Sequence, residues 1–194
     1  MTSVRRRKRT LARTLLHSDD LDGMLCCGLL VIVGTVVLTL SAKVQIPFWP
    51  VPVTLQTLVV LLIGVVFGVR LGIATVAVYL AEGAIGWPVF AGGGGAEYFA
   101  GPTGGFLVGF LVAAGIVGYL AERGFDRKWK TALIVFLVGD AVLFAIGIAW
   151  LTYLFGFSQA VTLGLKPFLL AEAVKIALAM MVLPYAWKYI GRRY

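Results

Sequence analysis

The feature that most restricts the fold of this chain is a series of long apolar segments, separated by short polar, glycine-rich or proline-rich stretches. Only 13% of the 194 residues are charged, whereas a soluble domain carries about a quarter. A helix needs about 20 apolar residues to cross a bilayer, and the chain has room for about six such helices. We therefore predict an all-α, polytopic membrane protein with six transmembrane helices.

The ends of the apolar runs set the boundaries of the predicted spans. We place these spans at residues 23–42, 53–69, 71–87, 103–121, 131–155 and 167–188. Together they form one membrane domain, residues 23–190, between a basic N-terminal tail (1–22) and a short C-terminal tail (191–194). The first apolar run is too long for a cleaved signal peptide, so we expect the first span to act as its own signal.

The basic residues predict the orientation of the spans. Fourteen of the seventeen Lys and Arg residues fall in the two ends of the chain, at Arg70 and in the loop 122–130. Cytoplasmic loops carry an excess of Lys and Arg, so this pattern predicts that both termini are cytoplasmic. It also favours anionic lipid over nucleic acid as the partner of the basic run at residues 5–9.

A glycine-rich segment, residues 91–106, connects the third and fourth spans on the predicted external face. Seven of its sixteen residues are Gly and one is Pro, and it carries Tyr98, Phe99 and Phe106 but no Lys or Arg. Glycine lets a backbone approach a ligand closely, so the segment suits a lid over a pocket. A mobile connector is the alternative, and composition alone favours neither. The proline-rich loop 43–52 lies on the same predicted face.

Four ionisable residues lie inside predicted spans: Glu82, Asp140, Glu172 and Lys175. Such residues cost about 2.5–3.5 kcal/mol each at the bilayer centre, and they usually pair or serve a ligand. Glu172 and Lys175 are three residues apart and share a helix face. They offer an acceptor and a donor to a small polar ligand; a salt bridge that only helps the helix to insert is the alternative.

The remaining two charged residues in the spans allow several roles. Asp140 lies at about the depth of Lys175, so a structural partnership between them is expected. Glu82 is near the outer end of its span, where it either lines a pocket or holds the glycine-rich segment. Small residues at four-residue spacing, Gly105, Gly109 and Ala113, predict close helix packing within the bundle.

No enzyme signature is present in the sequence. It has no catalytic Ser/His/Asp set, and no Cys/His cluster suggests a metal site. We expect Cys26 and Cys27 to be free thiols, since adjacent cysteines rarely bridge each other. The GGGG run lacks the Lys-Ser/Thr of a phosphate loop. We therefore predict a protein that is not an enzyme and has no cofactor, and any active transport would need another protein to hydrolyse ATP.

Four stretches of the chain resemble a known family: LSAKVQIPFWPVPVTLQTLVVLLIG (40–64), YLAEGAIGWPVFAGG (79–93), GPTGGFLVGF (101–110) and PFLLAEAVKIALA (167–179). They resemble BioY, the biotin-specific S component of energy-coupling factor (ECF) transporters of prokaryotes. The resemblance covers residues 23–190. It implies six helices in the inner membrane, an external biotin pocket, and as partners a transmembrane coupling protein and two ATPase subunits.

The resemblance also implies which residues contact biotin. In the family an acidic residue, commonly Asp, and a lysine three positions later in the last helix contact the vitamin, and these match Glu172 and Lys175. The ureido ring of biotin has two N–H donors and a carbonyl acceptor that suit this pair. The other predicted binding residues are Trp49, Thr54, Gln56, Glu82, Phe90, Tyr98, Thr103 and Phe106. An S component for another vitamin, a membrane enzyme acting on lipid and a purely structural membrane protein remain alternatives.

Overall fold

The structure is a computed structural model that describes residue 10 and residues 21–190, without the side chains of 21–23, 184–186 and 188–190. Nearly all of the predicted N-terminal tail (1–22) and the whole predicted C-terminal tail (191–194) therefore lie outside the described residues.

Helices dominate the described part of the chain. In chain order its elements are α1 (Leu21–Lys43), β1 (Gln45–Ile46), β2 (Val53–Thr54), α2 (Gln56–Ala84), α3 (Glu97–Ala100), α4 (Gly104–Glu122), a 3-10 turn (Phe125–Arg127), α5 (Trp129–Phe155), α6 (Phe157–Gly164) and α7 (Phe168–Ile190). Among the described residues, four helices are long and apolar enough to cross a membrane, namely Met24–Lys43, Gln56–Ala84, Gly104–Glu122 and Trp129–Phe155.

Helix α2 is folded back on itself at Gly68. This residue has φ 78° and ψ −174°, which interrupts the helix, and a positive φ is a conformation that glycine adopts without strain. A Cβ on Gly72 would lie 3.4 Å from Cα of Gly64, whereas eight residues of straight helix span about 12 Å. The two limbs, 56–67 and 69–84, are therefore antiparallel. The turn is at Gly68, and Arg70, which the sequence predicts to mark it, lies at the start of the second limb.

Small residues bring the helices close together. A Cβ added to Gly64 would lie 2.8 Å from the Ala114 carbonyl oxygen of α4, and one on Gly109 would lie 2.9 Å from the Leu143 carbonyl oxygen of α5. Helix α1 packs on α2, where a Cβ on Gly34 would overlap Thr75. The small residues that recur at four-residue spacing in α4 thus serve packing within the bundle.

The connecting segments hold more regular structure than the sequence predicts. The proline-rich segment 43–52 contains strand β1 and is followed by strand β2. The two strands pair antiparallel, so that Gln45 faces Thr54 and Ile46 faces Val53. We call residues 44–55 the proline hairpin. The predicted connector 156–166 contains helix α6, because Gly156 with φ 84° ends α5 and the next eight residues form helical hydrogen bonds again.

Candidate functional site

A cavity lies at the end of the bundle where the proline hairpin meets the segment between α2 and α4, which we call the aromatic loop (residues 85–103). Helices α2, α4, α5 and α7 form its floor and walls. The lining residues are Val51, Pro52, Thr54, Gln56, Thr57, Phe90, Ala91, Tyr98, Thr103, Phe106, Leu107, Phe110, Phe144, Phe168, Glu172 and Lys175.

The charged part of the cavity wall is a buried triad of Glu172, Lys175 and Thr57. The Lys175 ammonium donates to Glu172 Oε1 at 2.6 Å and to Thr57 Oγ1 at 2.9 Å. The Thr57 hydroxyl donates to the other Glu172 oxygen at 2.8 Å. Glu172 and Lys175 are each 5% exposed, and a buried ion pair is tolerated when such hydrogen bonds satisfy it. The triad therefore places an acceptor and a donor together on the cavity wall.

A second polar group lies at the start of α2. Gln56 Nε2 donates to the Tyr79 hydroxyl at 2.7 Å, and that hydroxyl donates to the Val89 carbonyl at 3.0 Å. The Thr54 hydroxyl donates to Gln56 Oε1 at 3.3 Å and accepts from the Gln56 backbone N–H at 3.2 Å. Thr54 and Tyr79 thus hold the Gln56 amide from its two sides. The bond from Tyr79 to Val89 connects this group to the aromatic loop.

Aromatic rings form most of the apolar surface of the cavity. The rings of Phe106, Phe144 and Phe168, from α4, α5 and the start of α7, have centroids 5.6 to 6.3 Å apart. The Phe90 and Tyr98 rings of the aromatic loop are 5.0 Å apart. Flat rings in such arrangements suit an apolar ring of a ligand between them.

The aromatic loop is held down over the end of α2. The Phe90 ring occupies the space beside Gly83, where a Cβ would lie 2.0 Å from Phe90 Cζ. Residues Phe90 and Gly93 exchange backbone hydrogen bonds of 2.8 and 3.2 Å, and the Gly95 N–H donates to the Gly83 carbonyl at 2.7 Å. Gly93 has φ 137°, a value that residues with a side chain rarely adopt. The loop therefore lies over the cavity as a folded segment with hydrogen bonds of its own.

The free volume under this cover is about 30 Å³. That is about the share of one water molecule in the liquid. A ligand larger than a few water molecules therefore fits only if the lining residues move apart.

Eight of the ten predicted binding residues line this one cavity, namely Thr54, Gln56, Phe90, Tyr98, Thr103, Phe106, Glu172 and Lys175. Trp49 and Glu82 are outside the lining. Trp49 is 68% exposed at the tip of the proline hairpin, with its ring 5.8 Å from that of Phe155. Glu82 is half-buried in the last turn of α2, and its carbonyl accepts from the Trp87 N–H at 3.1 Å.

Asp140 on α5 lies within electrostatic range of both Glu172 and Lys175. Its Oδ1 is buried and has no hydrogen-bond partner in the part of the chain that the structure describes. Lys175 forms its ion pair with Glu172, and Asp140 is near enough to both groups to interact with them electrostatically.

Two functional groups of this site were missed by the sequence analysis. Thr57 directly follows the predicted residue Gln56 in the first turn of α2, so its position was a usable signal. Tyr79 supports Gln56 from the second limb of α2, and only the fold at Gly68 reveals that contact. The remaining lining residues, such as Phe144 and Phe168, are apolar and could not be told from core residues.

Comparison with known proteins identifies the relatives of this chain. The BioY family model matches residues 14–192 of this chain. The chain is 37% identical to the biotin transporter BioY of Thermotoga maritima over 150 residues, which cover 76% of this chain and 88% of that protein. It is 39% identical to the biotin transporter BioY2 of Lactococcus lactis over 155 residues, which cover 77% and 83%.

The fold matches a solved structure as well. The chain superposes on the S component for biotin from an ECF-type ABC transporter with a TM-score of 0.77 at 23% identity, covering 88% of this chain and 95% of that one. At this identity the structural likeness supports the fold, and the sequence relatives support the family. The family predicted from the four motifs is confirmed, and the chain belongs to the BioY family.

Proposed function

We propose that this protein is the biotin-binding, substrate-capture subunit of an ECF-type vitamin importer. It takes biotin from the external face of the prokaryotic inner membrane for ATP-driven uptake with a transmembrane coupling protein and two ATPase subunits. The relatives named as biotin transporters support this proposal. The observation that carries it is the buried triad of Glu172, Lys175 and Thr57 on the wall of an aromatic cavity.

The chemistry of the cavity matches the chemistry of biotin. The Glu172 carboxylate can accept from a ureido N–H, and the Lys175 ammonium can donate to the ureido carbonyl. The apolar sulfur ring then lies against rings such as Phe90 and Phe106, and Gln56 and Thr103 offer further polar contacts. In this arrangement biotin replaces part of the Lys175–Glu172 pairing with its own hydrogen bonds, so both charged groups stay satisfied.

In this proposal the chain crosses the membrane six times. The two limbs of α2, 56–67 and 69–84, supply two crossings, and α7, with 23 residues or about 35 Å of helix, supplies the last. The first limb measures only about 18 Å, which is shorter than the hydrocarbon core of about 30 Å. The cavity at its end therefore lies below the external surface. Six crossings also put both termini on one side of the membrane, which the basic residues of the two ends predict to be the cytoplasmic side.

The test is direct binding of labelled biotin to the purified chain in lipid nanodiscs, with unlabelled biotin, thiamine and riboflavin as competitors. We expect displacement by biotin alone. Displacement by another vitamin instead would identify an S component of different specificity. No binding by the folded wild-type chain would contradict the proposal.

A further inference from the structure

The aromatic loop is bonded through two side chains, one from the end of α1 and one from the proline hairpin. The ammonium group of Lys43, the last residue of α1, donates to the Phe90 carbonyl at 2.7 Å. Gln45 Nε2, two residues later in the proline hairpin, donates to the Ala91 carbonyl at 3.2 Å. Phe90 and Ala91 both line the cavity, whereas Lys43 and Gln45 do not. The two donors thus act on the cavity through the backbone of the aromatic loop.

Phe90 lines the cavity and is tightly packed. Its side chain is 1% exposed, and its ring packs against Tyr79 at 5.5 Å and Tyr98 at 5.0 Å. Residues 90 and 91 belong to the tight turn that closes at Gly93. A donor fixed to the end of a helix and bonded to this turn therefore holds the ring in place over the cavity.

The proline hairpin has space to move on its other side. A groove of about 590 Å³ separates it from α7, and Thr54 and Lys175 border both this groove and the cavity. On the hairpin side its wall includes Ile46 and Phe48, which are 68% and 40% exposed. The proline hairpin is thus bonded to the aromatic loop through Gln45, whereas the groove separates it from α7.

From these contacts we infer that Lys43 is a positioning residue whose bond to the Phe90 carbonyl, reinforced by Gln45, sets the rate at which the cavity opens. When both bonds break, the proline hairpin swings toward the groove and the aromatic loop is released. The free volume of about 30 Å³ means that a ligand exchanges only during such an opening. This inference rests on the proposed function for the identity of the ligand, biotin.

The experiment measures association and dissociation rates of labelled biotin with the full chain in nanodiscs, for wild type, Lys43→Met, Lys43→Arg and Lys166→Met. Lys166 is an exposed lysine just before α7, at the same end of the bundle, and it controls for the loss of one charge. We expect both rates of Lys43→Met to rise about three- to tenfold, as for loss of one ordinary hydrogen bond from an exposed donor, with a smaller change in Kd. Lys43→Arg retains a donor and should restore the slow rates, and Lys166→Met should resemble wild type.

Three results would overturn the inference. These are unchanged rates in Lys43→Met, equally fast rates in Lys166→Met, and loss of binding by folded Lys43→Met, since that loss would place Lys43 in contact with biotin. If Lys43→Met does not fold, Gln45→Leu removes the second bond and should also speed exchange, and unchanged rates there would overturn the inference. Failure of wild type to bind biotin would instead refute the proposed function itself.

Discussion

Gln56 and Tyr79, which are 23 residues apart in the sequence, are joined by a hydrogen bond of 2.7 Å between Nε2 and the hydroxyl. Both residues belong to α2, and the bond crosses between its two antiparallel limbs. Because the Tyr79 hydroxyl donates onward to the Val89 carbonyl, the same contact holds the aromatic loop against the helices. Gln56 is 4% exposed and Tyr79 is fully buried, so water cannot replace a lost partner.

Replacing Tyr79 with Phe should therefore destabilise the protein by about 1–3 kcal/mol, because it leaves the Val89 carbonyl and the Gln56 amide unsatisfied. Thermal unfolding in detergent measures the loss, and biotin binding should weaken as Gln56 loses its orientation. Tyr153→Phe is the matched control, since Tyr153 is 81% exposed on α5. Equal stability of Tyr79→Phe and Tyr153→Phe would contradict the role given to this network.

The Glu172–Lys175 pair allows its roles in stability and binding to be separated. Lys175→Met leaves a buried carboxylate without its cation and should cost about 3–5 kcal/mol of folding free energy. The double variant Glu172→Leu with Lys175→Met should recover most of that loss, because an apolar pair of similar volume avoids burying charge. Neither variant should bind biotin. If the stable double variant binds biotin as wild type does, this pair only helps α7 to insert.

The space beside Gly83 predicts a specific effect on the aromatic loop. A Cβ there would overlap the Phe90 ring, so Gly83→Ala should displace the ring and cost about 1–3 kcal/mol through overpacking. Biotin dissociation, followed by filter binding, should become faster. In α1, Gly28 has no atom within 4 Å of such a Cβ, so Gly28→Ala is the control and should leave dissociation unchanged. Slow dissociation in Gly83→Ala would show that the ring can shift without opening the cavity.

The turn at Gly68 can be tested against a second glycine of similar backbone conformation. Gly68→Ala should lower the free energy of unfolding by more than the roughly 1–3 kcal/mol expected from backbone strain alone. The reason is that its Cβ would also lie 2.8 Å from Glu122 Oε1. Gly156 has a similar φ of 84° but no atom within 4 Å, so Gly156→Ala should show the strain alone. Chemical denaturation of both variants measures the difference. Equal losses would mean that contact with Glu122 does not matter at this turn.

The sequence was most informative about the site where two unusual residues share one helix face. Glu172 and Lys175 stood out because charge is rare in an apolar helix, and the structure brings them together in one cavity wall. Glu82 was an equally unusual charge and Trp49 was chosen from the proline-rich loop, yet both lie outside the cavity lining. Nearness in sequence does not decide which way a side chain faces in a loop.

The sequence by itself determined that the chain is a helical membrane protein of the BioY family. The length of its apolar runs and its four family motifs are properties of short stretches of sequence. It also determined the charged pair, because three residues along a helix bring two side chains to one face. Only the tertiary structure decided the partners of these groups. Thr57 meets Glu172 across 115 positions, and Lys43 meets Phe90 across 47. Such contacts depend on how helices and loops pack. The local sequence around one residue of each pair does not indicate its distant partner.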